Sequence, residues 1–193
     1  MHPHIIREPP PCFTVKSKWW SWIGPLSLDQ KYLTVKHGGG SLMMWGFMTH
    51  KGVGYGCHIQ EVINSKLYCE ILENHLKDSL NFYGISTNNM IFQQDNNPKH
   101  ASKMAKKWSQ DNEITVLPWS AQYPDLNPIE HLWHHLKIKL SAYERKATSI
   151  SELWERYDTE WNKFSAGICL KYYESMLLRV QAVLKAKGGH TRY

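Results

Sequence analysis

Met90-Ile91-Phe92-Gln93-Gln94-Asp95-Asn96-Asn97-Pro98-Lys99-His100 is a short apolar run that stops at an acid and turns into a basic segment. Runs of four or five such residues read as strands. The carboxyl ends of strands in open α/β sheets are where sites collect. Asn97-Pro98 suits a helix start, with Asn as N-cap and Pro in the first turn. Asp95 therefore reads in two ways, as a turn residue between strand and helix or as a site acid at a strand end.

Further along stands Trp119-Ser120-Ala121-Gln122-Tyr123-Pro124-Asp125-Leu126-Asn127-Pro128-Ile129-Glu130-His131-Leu132-Trp133. Here Asn127 reads as an N-cap, Pro128 as the first helical residue and Glu130 as the third. That order resembles a capping box, in which the acid reaches back to the cap's backbone N–H. The other reading brings Glu130 and Asp95 together on a divalent cation. Hard cations such as Mg²⁺ take oxygen ligands, and a pair of them stabilises the attacking and leaving oxygens in phosphoryl transfer. His131, His134 and His135 are too clustered to face one ion together.

Outward from these stretches, Ser41 to Met48 reads as a strand buried on both faces, and Gly54 to Gln60 as its hairpin partner. Asn64 to Leu80 reads as a helix through Tyr68, Leu72, Leu76 and Leu80. Lys99 to Gln110 reads as a basic helix and Ile114 to Leu117 as a short strand. Asn127 to Tyr143, Ser149 to Lys163 and Leu170 to Lys187 read as helices. The last of these should bury Tyr173, Met176, Leu177, Val180 and Leu184 by their spacing. Met1 to Lys18 reads as irregular, because Pro9, Pro10 and Pro11 exclude helix interiors and central strands, and Tyr32 to Lys36 as a short strand. Strands followed by alternating strands and helices give a mixed α/β domain.

The 193 residues suffice for one domain with a core, and 42% hydrophobic against 21% charged is a globular balance. Nine Trp and ten Tyr read as core groups before base-stacking ones. A net charge of +6 favours a polyanionic partner. Lys99, His100, Lys103, Lys106 and Lys107 cluster after Asp95, and several of them share a helix face. They suit DNA phosphates, and equally a solvated face. Cys12, Cys57, Cys69 and Cys169 form no C-x-x-C pair, which points to free thiols in a reducing compartment. The longest apolar run, Leu42 to Met48, is too short to cross a bilayer, and no membrane role is expected.

Four segments, in order, resemble Tc1/mariner-type DDE transposases of the Tc1-like branch. Phe92 to His100 resembles their second-aspartate motif, and Trp119 to Trp133 their third-acid motif. The 34 residues between Asp95 and Glu130 match the spacing that names the DD34E group. Thr34 to Gly46 and Arg179 to Gly189 resemble the same branch, so residues 34–193 are assigned to the catalytic domain and 1–33 to an irregular amino-terminal segment. The resemblance implies an RNase H-like fold, a mixed sheet flanked by helices. It implies metal-dependent DNA cleavage and strand transfer with Mg²⁺ or Mn²⁺, Asp95 and Glu130 as ligands, DNA as partner, a paired assembly and a nuclear location.

The family's first aspartate sits on the first strand, in a Trp-Ser-Asp-Glu-like motif that this sequence lacks. Before Glu61 the only acids are Glu8 and Asp29. Glu8 is nearest the expected place but precedes three prolines, and Asp29 comes too late. The expectation is a sheet lacking or distorting its first strand, and a nuclease with impaired catalysis. The alternative is a co-opted non-catalytic nucleic-acid-binding or protein-interaction module. The family's paired helix-turn-helix domains are expected upstream of these residues.

Overall fold

The computed structural model describes residues 12–21 (backbone only), 41–94, 97–118 and 126–187. The expected strand at Tyr32 to Lys36 lies outside them. One sheet runs β3-β2-β1-β5-β6, with β4 also paired to β2. Its strands are β1 (Cys12–Ser21), β2 (Ser41–Thr49), β3 (Gly52–Val53), β4 (Cys57–Ile59), β5 (Ile91–Gln94) and β6 (Thr115–Val116). β2 is antiparallel to β1, β3 and β4, whereas β5 is parallel to β1 and β6.

The expectations for the amino-terminal region fail at β1. Cys12–Ser21 is a ten-residue strand, so residues 1–33 are not irregular throughout, and the first strand is present in the middle of the sheet. The three prolines that argued against it lie just before it in the chain. Proline is excluded only where a ladder N–H is required, so it says little about the residue that follows. Phe13, Thr14, Val15, Trp19 and Trp20 are residue types that favour strands.

β2 is buried on both faces, as its unbroken apolar run requires. Met43, Trp45 and Phe47 enter one core with Phe92. Leu42, Met44 and Met48 enter a second core on the other face.

The first core is closed by α1 (Ser65–Ile71), a π turn (Leu72–Leu76) and α2 (Lys77–Phe82), which run on as one helix. Asn64 caps it, its Oδ1 accepting from the Leu67 N–H at 2.9 Å. The buried series Tyr68, Leu72, Leu76 and Leu80 steps by four. In an α-helix each such step overshoots a full turn by about 40°. The wider π turn, closing i to i+5, takes up part of that drift. α3 (Lys103–Asp111) completes this layer.

The second core is built by α4 (Ile129–Ser141), α5 (Ile150–Trp161) and α6 (Ala166–Lys185). The expected stripe of α4, Ile129, Leu132, Trp133, Leu136 and Leu140, is fully buried. Trp133 stacks on Trp161 at 4.8 Å between ring centroids. The indole N–H of Trp161 donates to the Gly54 carbonyl at 2.8 Å.

α6 departs from expectation. It buries Cys169 and Arg179, while Leu177 is 67% and Leu184 72% exposed. Val180 is exposed as well, and Tyr173 and Met176 are only half-buried. The helix carries apolar residues on two faces. Ile168, Cys169 and Tyr172 pack on the second core, which turns the Leu177 face outward. Periodicity alone cannot choose between two apolar stripes.

Candidate functional site

β5 lies between β1 and β6, and its end is tied down from both faces. Gln93 is buried, and its Nε2 donates to the Leu126 carbonyl at 3.2 Å, on the segment that leads into α4. Gln94 points the other way. Its Oε1 accepts from the Tyr68 hydroxyl at 2.5 Å, and its Nε2 donates to the His100 carbonyl at 3.3 Å. Asp95 follows immediately in the chain and lies outside the described residues.

After it, the Asn97 Oδ1 accepts from the Lys99 N–H at 3.2 Å, an Asx turn rather than a helix cap. The helix opens later, at Ser102, whose Oγ accepts from the Ala105 N–H. α3 is therefore shorter than the expected span of Lys99 to Gln110.

Glu130 stands in the first turn of α4, partly exposed. The N-cap is Pro128, not Asn127, and no side chain caps the helix. Glu130 is thus the second helical residue, its N–H donating to the Asn127 carbonyl at 3.1 Å, and the capping box does not form. A carboxylate in this turn is favoured by the positive end of the helix dipole. The Gln93–Leu126 bond links the end of β5 to the approach to this turn. The buried Gln93 Oε1 and Asn127 Oδ1 have no hydrogen-bond partner among the described residues.

The neighbouring imidazoles belong to packing. His131 Nε2 accepts from Arg179 Nη1 at 2.7 Å, and its ring stacks on Tyr172. Burial, then the Arg179 charge, holds its pKa below the usual imidazole value. His135 bonds to the Tyr172 hydroxyl at 3.1 Å. Both therefore fasten α4 to α6.

The basic residues divide. Lys103, Lys106 and Lys107 are exposed on α3, whose buried side holds Ala105 and Ser109. Lys107 pairs with Asp111 at 3.1 Å. Lys99 is half-buried in the preceding turn. His100 is 2% exposed and stacks on Tyr68 at 4.1 Å, inside the first core. A ring so placed does not face a phosphate.

The element that sequence reasoning missed is β1. In its register with β5, Val15 lies opposite Gln94, the residue before Asp95. No Asp or Glu occurs in Cys12–Ser21. Two carboxylates, without a third from the neighbouring strand, do not fit a resident pair of divalent cations that share bridging acids. Among the described residues no group of three His, Cys, Asp or Glu side chains could hold a metal ion. The β-forming composition of Phe13 to Trp20 was the available signal for this strand.

A mixed sheet of this order and direction, helices on both faces and one acid on a helix beside the central strands define the RNase H-like class. Residues 15–154 match the DDE superfamily endonuclease family. The chain belongs to that family, as a Tc1/mariner-type DDE transposase catalytic domain. It is 37% identical to the transposable element Tc1 transposase of Caenorhabditis elegans over 161 residues, covering 83% of this chain and 57% of that protein. It is 35% identical to the Tcb2 transposase of Caenorhabditis briggsae over 162 residues, with the same coverage. The chain thus spans little more than half the length of these relatives. The catalytic domain of Mos1 mariner transposase shares the fold, with a TM-score of 0.76 at 20% identity over 94% of this chain and 84% of that one. The Mos1 paired end complex with Mg gives 0.78 at 19% identity, over 94% of this chain and 56% of that one.

Proposed function

We propose that this chain acts on DNA as a transposase-derived endonuclease domain that retains a DNA-binding surface and has impaired strand cleavage. The observation that carries this reading is the placement of the exposed Lys103 and Lys106 on α3, with Lys99 in the turn leading to it, directly after β5. The β5 end is in turn bonded to the segment entering the helix of Glu130. Positive charge that follows Asp95 in the chain suits binding of a phosphate backbone. Asp95 and Glu130 are the metal ligands in this reading, as in the family. Two carboxylates bind Mg²⁺ or Mn²⁺ weakly unless substrate phosphates complete the shell. The nuclear location and the paired assembly follow from the same reading.

The test has two arms. Binding of duplex DNA, followed by fluorescence anisotropy against salt, should weaken steeply as salt rises. The K99A/K103A/K106A variant should flatten the log–log slope by about 0.9 for each phosphate it no longer neutralises. In a plasmid-nicking assay with Mg²⁺ or Mn²⁺ the chain should cut poorly. Clear nicking that Asp95→Ala abolishes would refute impaired cleavage, and an unchanged salt slope would refute the binding surface.

A second reading, a protein-interaction module, has one observation in its favour. α6 exposes Leu170, Leu177, Leu178, Val180 and Leu184, more apolar surface than one solvated helix usually shows. Light scattering across a concentration series tests it, since self-association through α6 should weaken in L177E/L184E.

A further inference from the structure

The register of β1 sets which of its residues lie next to the end of β5. Val15 pairs with Gln94 on one side, and Gln94 precedes Asp95. Lys16 pairs with Gly46 on the other side. A Cβ built at Gly46 would lie 3.3 Å from Trp133 and 3.0 Å from Trp161, so this register position is on the sheet face that α4 covers. Thr14 pairs with Gln93, whose side chain reaches toward the same helix. The stretch of β1 next to the end of β5 is therefore Val15-Lys16; successive strand residues take opposite faces, so Lys16 holds the position on the face that α4 covers and Val15 the position on the other. The chemistry of the stretch agrees. Phe13-Thr14 supplies an aromatic and a hydroxyl residue, in the order of the Trp-Ser that precedes the acids in the family's first motif. Val15 and Lys16 then stand where the Asp and Glu would follow.

We propose that the first acid was lost in place, at Val15-Lys16, from a strand that is otherwise intact. Neither residue type ligates a hard cation, and Lys16 puts a positive charge where the motif has an acid. The proposal rests on those two acids forming the remaining half of the site. It replaces Glu8 as the candidate for the missing position, since Glu8 precedes the strand in the chain.

The experiment is Mn²⁺ binding to the whole 193-residue chain without DNA, read from the electron paramagnetic resonance signal of free Mn²⁺. V15D/K16E should bind Mn²⁺ at least about tenfold tighter than the parent chain, the lower end of what a single metal-site partner contributes. The gain should vanish when Asp95→Asn is added. Lys16→Gln, which removes only the charge, should tighten binding by about threefold, the size of a screened charge effect. It also keeps the proposal testable should the double variant fail to fold. No gain in V15D/K16E with circular dichroism and melting like the parent's would overturn the proposal, as would no gain in Lys16→Gln. A parent chain that already binds Mn²⁺ as tightly as V15D/K16E would do the same. A gain that survives Asp95→Asn would overturn the reading of Asp95 while leaving that of β1 standing.

Discussion

Glu152 shows how far a single side chain can be held from its ordinary behaviour. Its Oε2 accepts from both the N–H and the hydroxyl of Thr148 at 2.8 Å, and Arg145 and Arg156 also donate to the carboxylate. These bonds, the Thr148 ones foremost, lower its pKa to about 2 from an ordinary 4.5. A carboxylate whose folded pKa is depressed stabilises the fold fully above its unfolded value. That contribution is lost as pH falls through the folded value. The acid limb of stability should therefore carry a Glu152 contribution between pH 4.5 and about 2. Glu152→Gln should remove it, which chemical denaturation across that range would detect as a shallower slope. Gly54 gives a second test. A Cβ there would overlap the Phe47 ring, and the Gly54 carbonyl holds the Trp161 indole. Gly54→Ala should cost about 1–3 kcal/mol, read as a lower melting midpoint. At this scale the sequence showed residue types better than surroundings. The run from Phe92 to His100 marked the strand β5 and the basic segment after it, yet only the fold shows that His100 stacks on Tyr68 while Lys103 and Lys106 are exposed. Side-chain direction depends on where the turn after β5 ends and α3 begins, and the Asx turn at Asn97 delayed that start by several residues.

Helices separate along the same line. α4 was legible because it has one apolar stripe, and every member of that stripe is buried. α6 was not, because its sequence offers two stripes and the choice belongs to tertiary packing. The contrast can be measured. Leu136→Ala in α4 should cost about 2–5 kcal/mol, as a cavity in a closed core does. Leu177→Gln in α6 should change stability by no more than about 0.5 kcal/mol. Urea melts of the two variants decide it, and a large loss at Leu177 would mean that the outward face is covered after all. β1 was missed for a different reason. Its strand-forming residues are adjacent to a proline run and a tryptophan cluster, both of which break a simple periodic reading. Its place came from pairing with strands distant in the chain, which no local window contains.

In the whole molecule, β1 joins two halves. β2, β3 and β4 form an antiparallel group, β5 and β6 a parallel one, and among the described residues the sheet connects them only through β1. Thr14 is paired on both sides, to Met48 and to Gln93. Thr14→Pro removes a central ladder donor and should abolish the cooperative thermal transition, followed by far-ultraviolet circular dichroism. Ser21→Pro at the strand's end should leave the transition in place. The domain's class was legible from motif order because the acids and their spacing are local text. The joint between the halves was not, because its pairing partners are distant in the chain. The stacked Trp133 and Trp161 sit on one side of that joint, 4.8 Å apart and 19° from parallel. Two indoles so close share their excited states, so the fold carries a built-in optical signature. A coupled band in its circular dichroism spectrum would report whether α4 and α5 still meet over β2, and would do so without a label.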